Sequence, residues 1–385
     1  MEAYLDNSAT TRAFDEVAQA VVKAMTEEYG NASSVHHMGT VAGERVAGAR
    51  EVIASTLKVD PQEILFTSGG TESDNLAIIG AARANKWRGK HIITTSIEHP
   101  AIQETTTFLE KEGFETTYLP VGKDGVVNLE DLKAAIRPDT ILVSMMLVNN
   151  EIGAVEPVEE AGKLIKSINP DIYFHVDAVQ GYGKVLIRPR SMNIDLLSVS
   201  GHKIHGPKGI GFLYIKKGTK IVPICYGGGQ QKGMRSGTEN VPGIVGLSIA
   251  AKKCYEDFDN HISKLYDLKR YLIGELGKRI TDITINGPEC EKGAPHIVSI
   301  SIKGLAAETV LNMLSSKGIY VSAGSACTSN NPHVSDTLKA IGLDRNLLES
   351  TIRVSMSFMT TKEEIDYFLD TLCSQVDTMR KFYRH

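Results

Sequence analysis

Along the chain, short apolar runs alternate with longer stretches of helical spacing, and each run ends in a cluster of polar residues and glycine. Ile64-Leu65-Phe66-Thr67, His91 to Thr95, Ile141 to Val148 and the runs over 172–176, 194–199 and 210–215 are apolar on both alternations, so they read as strands buried on both faces. Helices are predicted from about Asp15 to Tyr29, in the alanine-rich segment after Gly69-Gly70-Thr71, and from Glu98-His99-Pro100 onward. Strands alternating with helices predict an α/β fold with a mostly parallel sheet covered by helices on both faces. Ligands of such sheets bind at the carboxyl ends of the strands, where the polar clusters after Thr67, Thr95, Val148, Val176 and Val199 lie. A long helical pattern from about Val241 to Arg279 leads into a second region. There, strands (His296 to Ile302, Ile319 to Ser322, Thr351 to Ser355) mix with amphipathic helices (305–317, 361–381), as in a smaller α/β lobe. The predicted division is a large domain over 13–255 and a small domain made of the 1–12 arm with 256–385.

Composition narrows the class without choosing a function. At 385 residues, 42% hydrophobic and 23% charged, the chain has the make-up of an ordinary soluble protein. A formal net charge of −4 and the lack of a basic cluster argue against direct nucleic-acid binding; Arg380, Lys381 and Arg384 read as a solvated helix end. No apolar run reaches membrane-spanning length, and Met1-Glu2-Ala3-Tyr4 does not read as a signal peptide. The five cysteines, at 225, 254, 290, 327 and 373, form no Cys-x-x-Cys pair, so neither a disulfide framework nor a zinc site is expected. His36-His37 has no acid or thiol close by to complete a metal site. These features predict a cytoplasmic protein with reduced thiols, without a membrane or a metal.

Candidate chemistry begins at Ser200-Gly201-His202-Lys203, because the following Ile204-His205-Gly206-Pro207-Lys208-Gly209 continues neither strand nor helix. A lysine held at a strand end beside a histidine and a serine suits an imine-forming amine, although a solvated lysine has the same appearance in sequence. Upstream, Phe174-His175-Val176-Asp177 is an apolar strand ending in an acid. An imine-forming lysine and an aspartate that pairs with a pyridinium nitrogen are the two protein groups expected around pyridoxal phosphate. Gly69-Gly70-Thr71 stands at a strand-to-helix junction, either as a phosphate cradle or as a plain glycine turn before a helix. Ser200 and His202 can add donors to that phosphate, and Gln180 can reach the cofactor's phenolic oxygen. His99 reads as a helix-terminal residue or as a ring stacked on the cofactor that moves protons near neutral pH. Cys327 stands in Gly324-Ser325-Ala326-Cys327-Thr328-Ser329-Asn330-Asn331-Pro332, the composition of an exposed, mobile loop, where a thiolate would serve as a nucleophile. Arg353 is a charge within the apolar run Thr351 to Ser355, suited to an internal ion pair or to bidentate capture of a substrate carboxylate.

Seven motifs together give the chain a family likeness. They are Tyr4-Leu5-Asp6-Asn7-Ser8-Ala9-Thr10-Thr11, Thr67-Ser68-Gly69-Gly70-Thr71-Glu72-Ser73-Asp74-Asn75, Val148-Asn149-Asn150-Glu151-Ile152-Gly153, His175-Val176-Asp177-Ala178-Val179-Gln180, Ser200-Gly201-His202-Lys203, Arg235-Ser236-Gly237-Thr238 and Gly324-Ser325-Ala326-Cys327. Over almost its whole length the chain resembles the pyridoxal-phosphate-dependent cysteine desulfurases of the NifS/IscS kind, within the class V aminotransferase superfamily. The resemblance implies the PLP-dependent transferase fold type I, with a large cofactor-binding domain and a small domain bearing the Cys327 loop. It implies that Lys203 carries the imine to pyridoxal 5'-phosphate, Asp177 pairs with the pyridine nitrogen, Gln180 contacts the phenolic oxygen and His99 stacks on the ring. Gly70, Thr71, Ser200 and His202 would hold the phosphate, joined by Thr238 from the partner subunit of a homodimer. Asn150 and Arg353 would hold the carboxylate of L-cysteine, Lys203 would move its α-proton, His99 would supply protons, and Cys327 would keep the sulfur as a persulfide as L-alanine leaves. A sulfur-acceptor protein, an iron–sulfur scaffold or a tRNA-thiolating enzyme, is the implied partner. Housekeeping members often follow the cysteine with a segment of the Ala-Ser-Leu-Glu-Pro-Ser-Tyr type. Asn330-Asn331-Pro332-His333-Val334-Ser335-Asp336 departs from it, which leaves the chemistry alone and the acceptor open.

Overall fold

In a computed structural model of the chain, which describes residues 1–323 and 335–383, a seven-stranded sheet forms the centre. Across it the order is Ile64–Thr67, Gly211–Ile215, Leu196–Ser200, Tyr173–Asp177, Thr140–Met146, His91–Thr95 and Glu115–Leu119. The last five are mutually parallel, and Gly211–Ile215 runs against both of its neighbours. The predicted mostly parallel sheet is therefore present, with one strand reversed.

Side chains along these strands alternate between two apolar layers. Val143, Met145, Phe174, Val176, Leu197 and Val199 pack with Val17, Ile53 and Leu247 of the helices Asp15–Thr26, His37–Leu57 and Val241–Glu256. Leu65, Ile92, Leu142, Leu196 and Leu213 pack on the other face with Leu76, Ile78, Ile102 and Leu109 of the helices Gly70–Asn85 and Pro100–Lys111. Burial on both faces is what makes these strands read as unbroken apolar runs. Each fully buried leucine or isoleucine contributes roughly 2 kcal/mol from area alone.

A separate core holds the rest of the chain. The four-stranded antiparallel sheet Ser322–Ala323, Thr351–Ser355, Ile297–Ile302 and Ile283–Asn286 packs with the helices Phe258–Arg279, Ala307–Ser315 and Lys362–Tyr383 around Leu272, Ile300, Val354 and Phe368. The N-terminal arm joins that core, where Ala3–Tyr4 pairs in parallel with Ile319–Tyr320 and where Ala3 and Leu5 are fully buried. The arm then runs to the end of the large sheet, where the Thr11 N–H donates to the His202 carbonyl at 2.9 Å. One strap thus ties the two cores together next to Lys203.

Several predicted elements differ in detail. The first helix ends at Thr26 rather than Tyr29. The long helical run breaks at Asp257, whose φ of −132° and ψ of 44° leave the helix, giving Val241–Glu256 and Phe258–Arg279. Ile319 to Ser322 divides between two sheets. Glu115–Leu119 is a half-exposed edge strand of mostly polar residues, so no apolar run announced it. His36 caps the His37–Leu57 helix through Nδ1, which accepts from the Gly39 N–H at 3.3 Å.

Candidate active site

The polar clusters at the strand ends meet around a cavity of about 310 Å³. Gly70, Thr71, His99, Asn150, Asp177, Gln180, Ser200, His202, Lys203 and Arg353, all singled out in the sequence, line it together. Thr238 is exposed and does not line it, and Cys327 lies outside the described residues. Ser8, Ala9 and Asp74 line it as well, although sequence reasoning gave none of them a role.

Asp177 ends its strand at the inner wall, 5% exposed, and its Oδ1 accepts from the Val179 N–H at 2.8 Å. Burial raises its carboxyl to about 6, and the nearby Lys203 charge pulls the other way. Lys203 follows the neighbouring strand in the short turn Gly201–Lys203 and crosses to the arm, where Nζ donates to the Ser8 and Ala9 carbonyls at 2.5 and 2.8 Å. The arm closes this wall. Gln180 Nε2 also donates to the Ser8 carbonyl, at 2.9 Å, and the Ser8 N–H donates to Ser355 Oγ at 2.9 Å.

His99 precedes Pro100 at the helix start, and its Nδ1 accepts from the Ala101 N–H at 3.1 Å. Burial, with a smaller effect of the Lys203 charge, lowers its pKa to about 4, so the ring is neutral at pH 7. With Nδ1 accepting, the single ring proton belongs on Nε2. His99 is thus the predicted helix-terminal residue, with an uncharged ring in the cavity wall; its lowered pKa departs from the expected titration near neutral pH.

Arg353 makes the internal ion pair that is one of its two readings. Nη2 donates to Asp6 Oδ1 and Nη1 to the Asn150 carbonyl, each at 2.8 Å, while the buried Nε has no partner. The ion pair with Asp6 fixes the guanidinium and leaves donor capacity over.

The helix after Gly69 begins without a side-chain cap, so its first N–H groups are open to an anion. Glycine is required at this junction. Gly69 has φ +153°, and a Cβ on Gly70 would stand 2.7 Å from Val179 Cγ2. A cofactor bearing an aldehyde, a ring nitrogen and a phosphate needs an amine, a buried acid, an anion hole and spare hydrogen-bonding atoms. The cavity offers Lys203, Asp177, the helix start with Thr71, Ser200 and His202, and the buried, unpaired Gln180 Oε1 and Ser8 Oγ. The residues fit the group.

Comparison with known proteins gives the family. Residues 3–368 match the family model "Aminotransferase class-V". A cysteine desulfurase IscS of Dictyoglomus turgidum is 45% identical over 379 residues, which is 98% of this chain and 95% of that protein. A solved NifS-like protein superposes with a TM-score of 0.93 at 40% identity, covering 98% of this chain and all of the other. A structure described as SspA in complex with cysteine superposes with a TM-score of 0.81 at 34% identity, covering 92% of this chain and 99% of the other. With the family model and relatives at this identity running nearly end to end, the chain belongs to the class-V aminotransferases and, among them, to the pyridoxal-phosphate-dependent cysteine desulfurases.

Proposed function

We propose that this chain removes sulfur from L-cysteine, releases L-alanine and keeps the sulfur as a persulfide on Cys327. The observation that supports the reading best is the meeting of the Lys203 amine, the Asp177 carboxyl and the Arg353 guanidinium in one cavity at the strand ends. The relative solved with cysteine is the reason to choose that amino acid.

When bound, pyridoxal phosphate supplies the electron sink that lets the substrate α-carbon give up its proton. Asp177 would hold the proton of the ring nitrogen, and Gln180 and Ser8 would serve the phenolic oxygen. The Gly70 turn, Thr71, Ser200 and His202 hold the phosphate, with Thr238 contributed from a second copy in a homodimer. His99 would lie against the ring when the cofactor is bound, with its Nε2 proton available. Arg353 and Asn150 hold the substrate carboxylate while Lys203 Nζ takes up and returns the α-proton. The Cys327 thiolate attacks the substrate sulfur, so a sulfur–sulfur bond forms as the carbon–sulfur bond breaks. The electron pair stays with the β-carbon, which takes a proton, and no external oxidant is needed. Cysteine plus a thiol gives alanine plus a persulfide, balanced in atoms and electrons.

The persulfide passes to an acceptor protein such as an iron–sulfur scaffold or a tRNA-thiolating enzyme, in the cytoplasm. No helix among the described residues is long and apolar enough to cross a membrane.

The purified chain loaded with pyridoxal phosphate should turn L-cysteine and dithiothreitol into alanine and sulfide in equal amounts. Cofactor bound firmly with neither product formed would overturn the reading. Arg353→Lys should raise KM for L-cysteine by about 10- to 100-fold with a smaller change in kcat, because one ammonium cannot replace a guanidinium that serves Asp6, Asn150 and a carboxylate at once. Steady-state kinetics on the two proteins measures this split.

A further inference from the structure

The sheet face under the Gly70–Asn85 helix changes character toward the cavity. Deeper in, it carries Leu142 and Leu196; two residues further along the same strands it carries Ser144 and Ser198, with His175 and Asp177 on the strand between. Ser144 stands beside His175 and Ser198 beside Asp177 in the register, and Ser144, His175 and Ser198 are fully buried. His175 Nδ1 lies 2.9 Å from Ser144 Oγ and its Nε2 lies 2.9 Å from Ser198 Oγ. Asp74 meets this row from the helix above. It is 1% exposed, its Oδ1 lies 3.6 Å from His175 Nε2, and that oxygen has no hydrogen-bond partner. The proposed reaction uses neither Asp74 nor this row.

Two buried carboxyl groups that repel each other cannot both stay ionised, and the donors around each decide which one holds the proton. Asp177 has the Val179 N–H and the nearby charge of Lys203. Asp74 has the Ser198 hydroxyl and a histidine that burial lowers to about 3, hence a neutral ring. The third carboxyl of the group, Glu98, accepts from Thr95 Oγ1 and the Met146 N–H, and burial raises it to about 8, so it carries no charge at pH 7.

We propose that Asp74 is a positioning residue, an uncharged carboxylic acid held by the Ser198–His175–Ser144 row, which leaves Asp177 the single anion facing the ring nitrogen. Burial and the charge of Asp177 both push the Asp74 carboxyl well above the ordinary range. Were Asp74 ionised, its charge would push the Asp177 carboxyl up in turn, toward the protonated form that cannot pair with a pyridinium. The row also has one consistent direction. With the ring proton on Nε2, His175 donates to Ser198 Oγ and accepts from Ser144 at Nδ1, which leaves the Ser198 hydroxyl proton to turn toward Asp74.

The inference rests on the proposed reading only in giving Asp177 the ring nitrogen, so its test reads the spectrum of the cofactor-free chain and then its affinity for the cofactor, and needs no turnover. An infrared difference spectrum between wild type and Asp74→Asn at neutral pH should show the carbonyl stretch of a neutral carboxylic acid, present only in wild type. In Asp177→Asn that band should titrate away at lower pH, because the repelling charge is gone; in Ser198→Ala it should persist to higher pH, because a donor to the ionised form is lost. The Ser198→Ala arm stands if Asp74→Asn fails to fold. Pyridoxal phosphate should bind Asp74→Asn within about threefold of wild type, since the amide is also neutral. No carboxylic acid band at neutral pH, or a loss of cofactor affinity of about tenfold or more in Asp74→Asn, would mean that Asp74 works as an anion and would overturn the proposal.

Discussion

Exchange of Lys203 for alanine is expected to slow alanine release from L-cysteine by at least about 10³-fold, the upper range for loss of a positioned acid–base group, while the fold survives. The fold should survive because the turn carrying Lys203 is held through its backbone. The Lys203 carbonyl accepts from Lys184 Nζ at 2.9 Å, and the preceding His202 carbonyl accepts from both the N–H and the hydroxyl of Thr11, each at 2.9 Å. What disappears is the amine at the cavity wall. The Ser8 and Ala9 carbonyls that accept from it are left facing a cavity that water can enter, so the stability cost is small. Rates measured beside melting curves separate the two effects. Borohydride reduction adds an independent readout, attaching the cofactor to the Lys203 peptide in wild type and to no peptide in the variant. Activity of the variant within tenfold of wild type would show that another group moves the α-proton.

How much of this site could be read in the sequence follows from whether each group acts through its side chain or its backbone. Asp177 was legible because a buried strand ended in an acid, and Lys203 because a strand ended where neither strand nor helix could continue. Ser8 and Ala9 were not, since they hold Lys203 with carbonyl groups that every residue possesses. Asp6 was hidden differently. It lies 347 positions from Arg353, and only the folded arm brings its carboxylate to that guanidinium. Asp74 stood inside a quoted motif yet read as one more polar residue near a helix start; its meaning depends on Ser198 and His175 from two other elements. The hydroxyl-rich run from Asn7 to Thr11 was the available signal for the arm, since so many short polar side chains suggest a segment pinned at many points. The half-exposed Glu115–Leu119 strand shows the opposite limit, where edge position removes the apolar pattern that identifies the central strands.

Cys327→Ser should separate two halves of the reaction that a single rate cannot. Cysteine binding and the accompanying change in cofactor absorbance use the cavity residues and should persist, whereas alanine formation should fall by roughly 10³-fold or more, because a serine hydroxyl is a far weaker nucleophile than a thiolate. The other thiols are poor substitutes. Cys254 is fully buried and pushed up to about 12, and burial also raises Cys290 and Cys373. Cys225 is exposed but does not line the cavity, so Cys225→Ser should leave the rate unchanged. Mass spectrometry after one equivalent of L-cysteine, without reductant, should find one added sulfur on the Cys327 peptide and on no other. Equal alanine from wild type and Cys327→Ser would mean that another thiol attacks the substrate sulfur in place of Cys327, since elimination of sulfide would give pyruvate and ammonia instead of alanine. The cavity geometry would then still hold, but Cys327 would not be the carrier, and a partner would receive the sulfur from the persulfide of that other thiol.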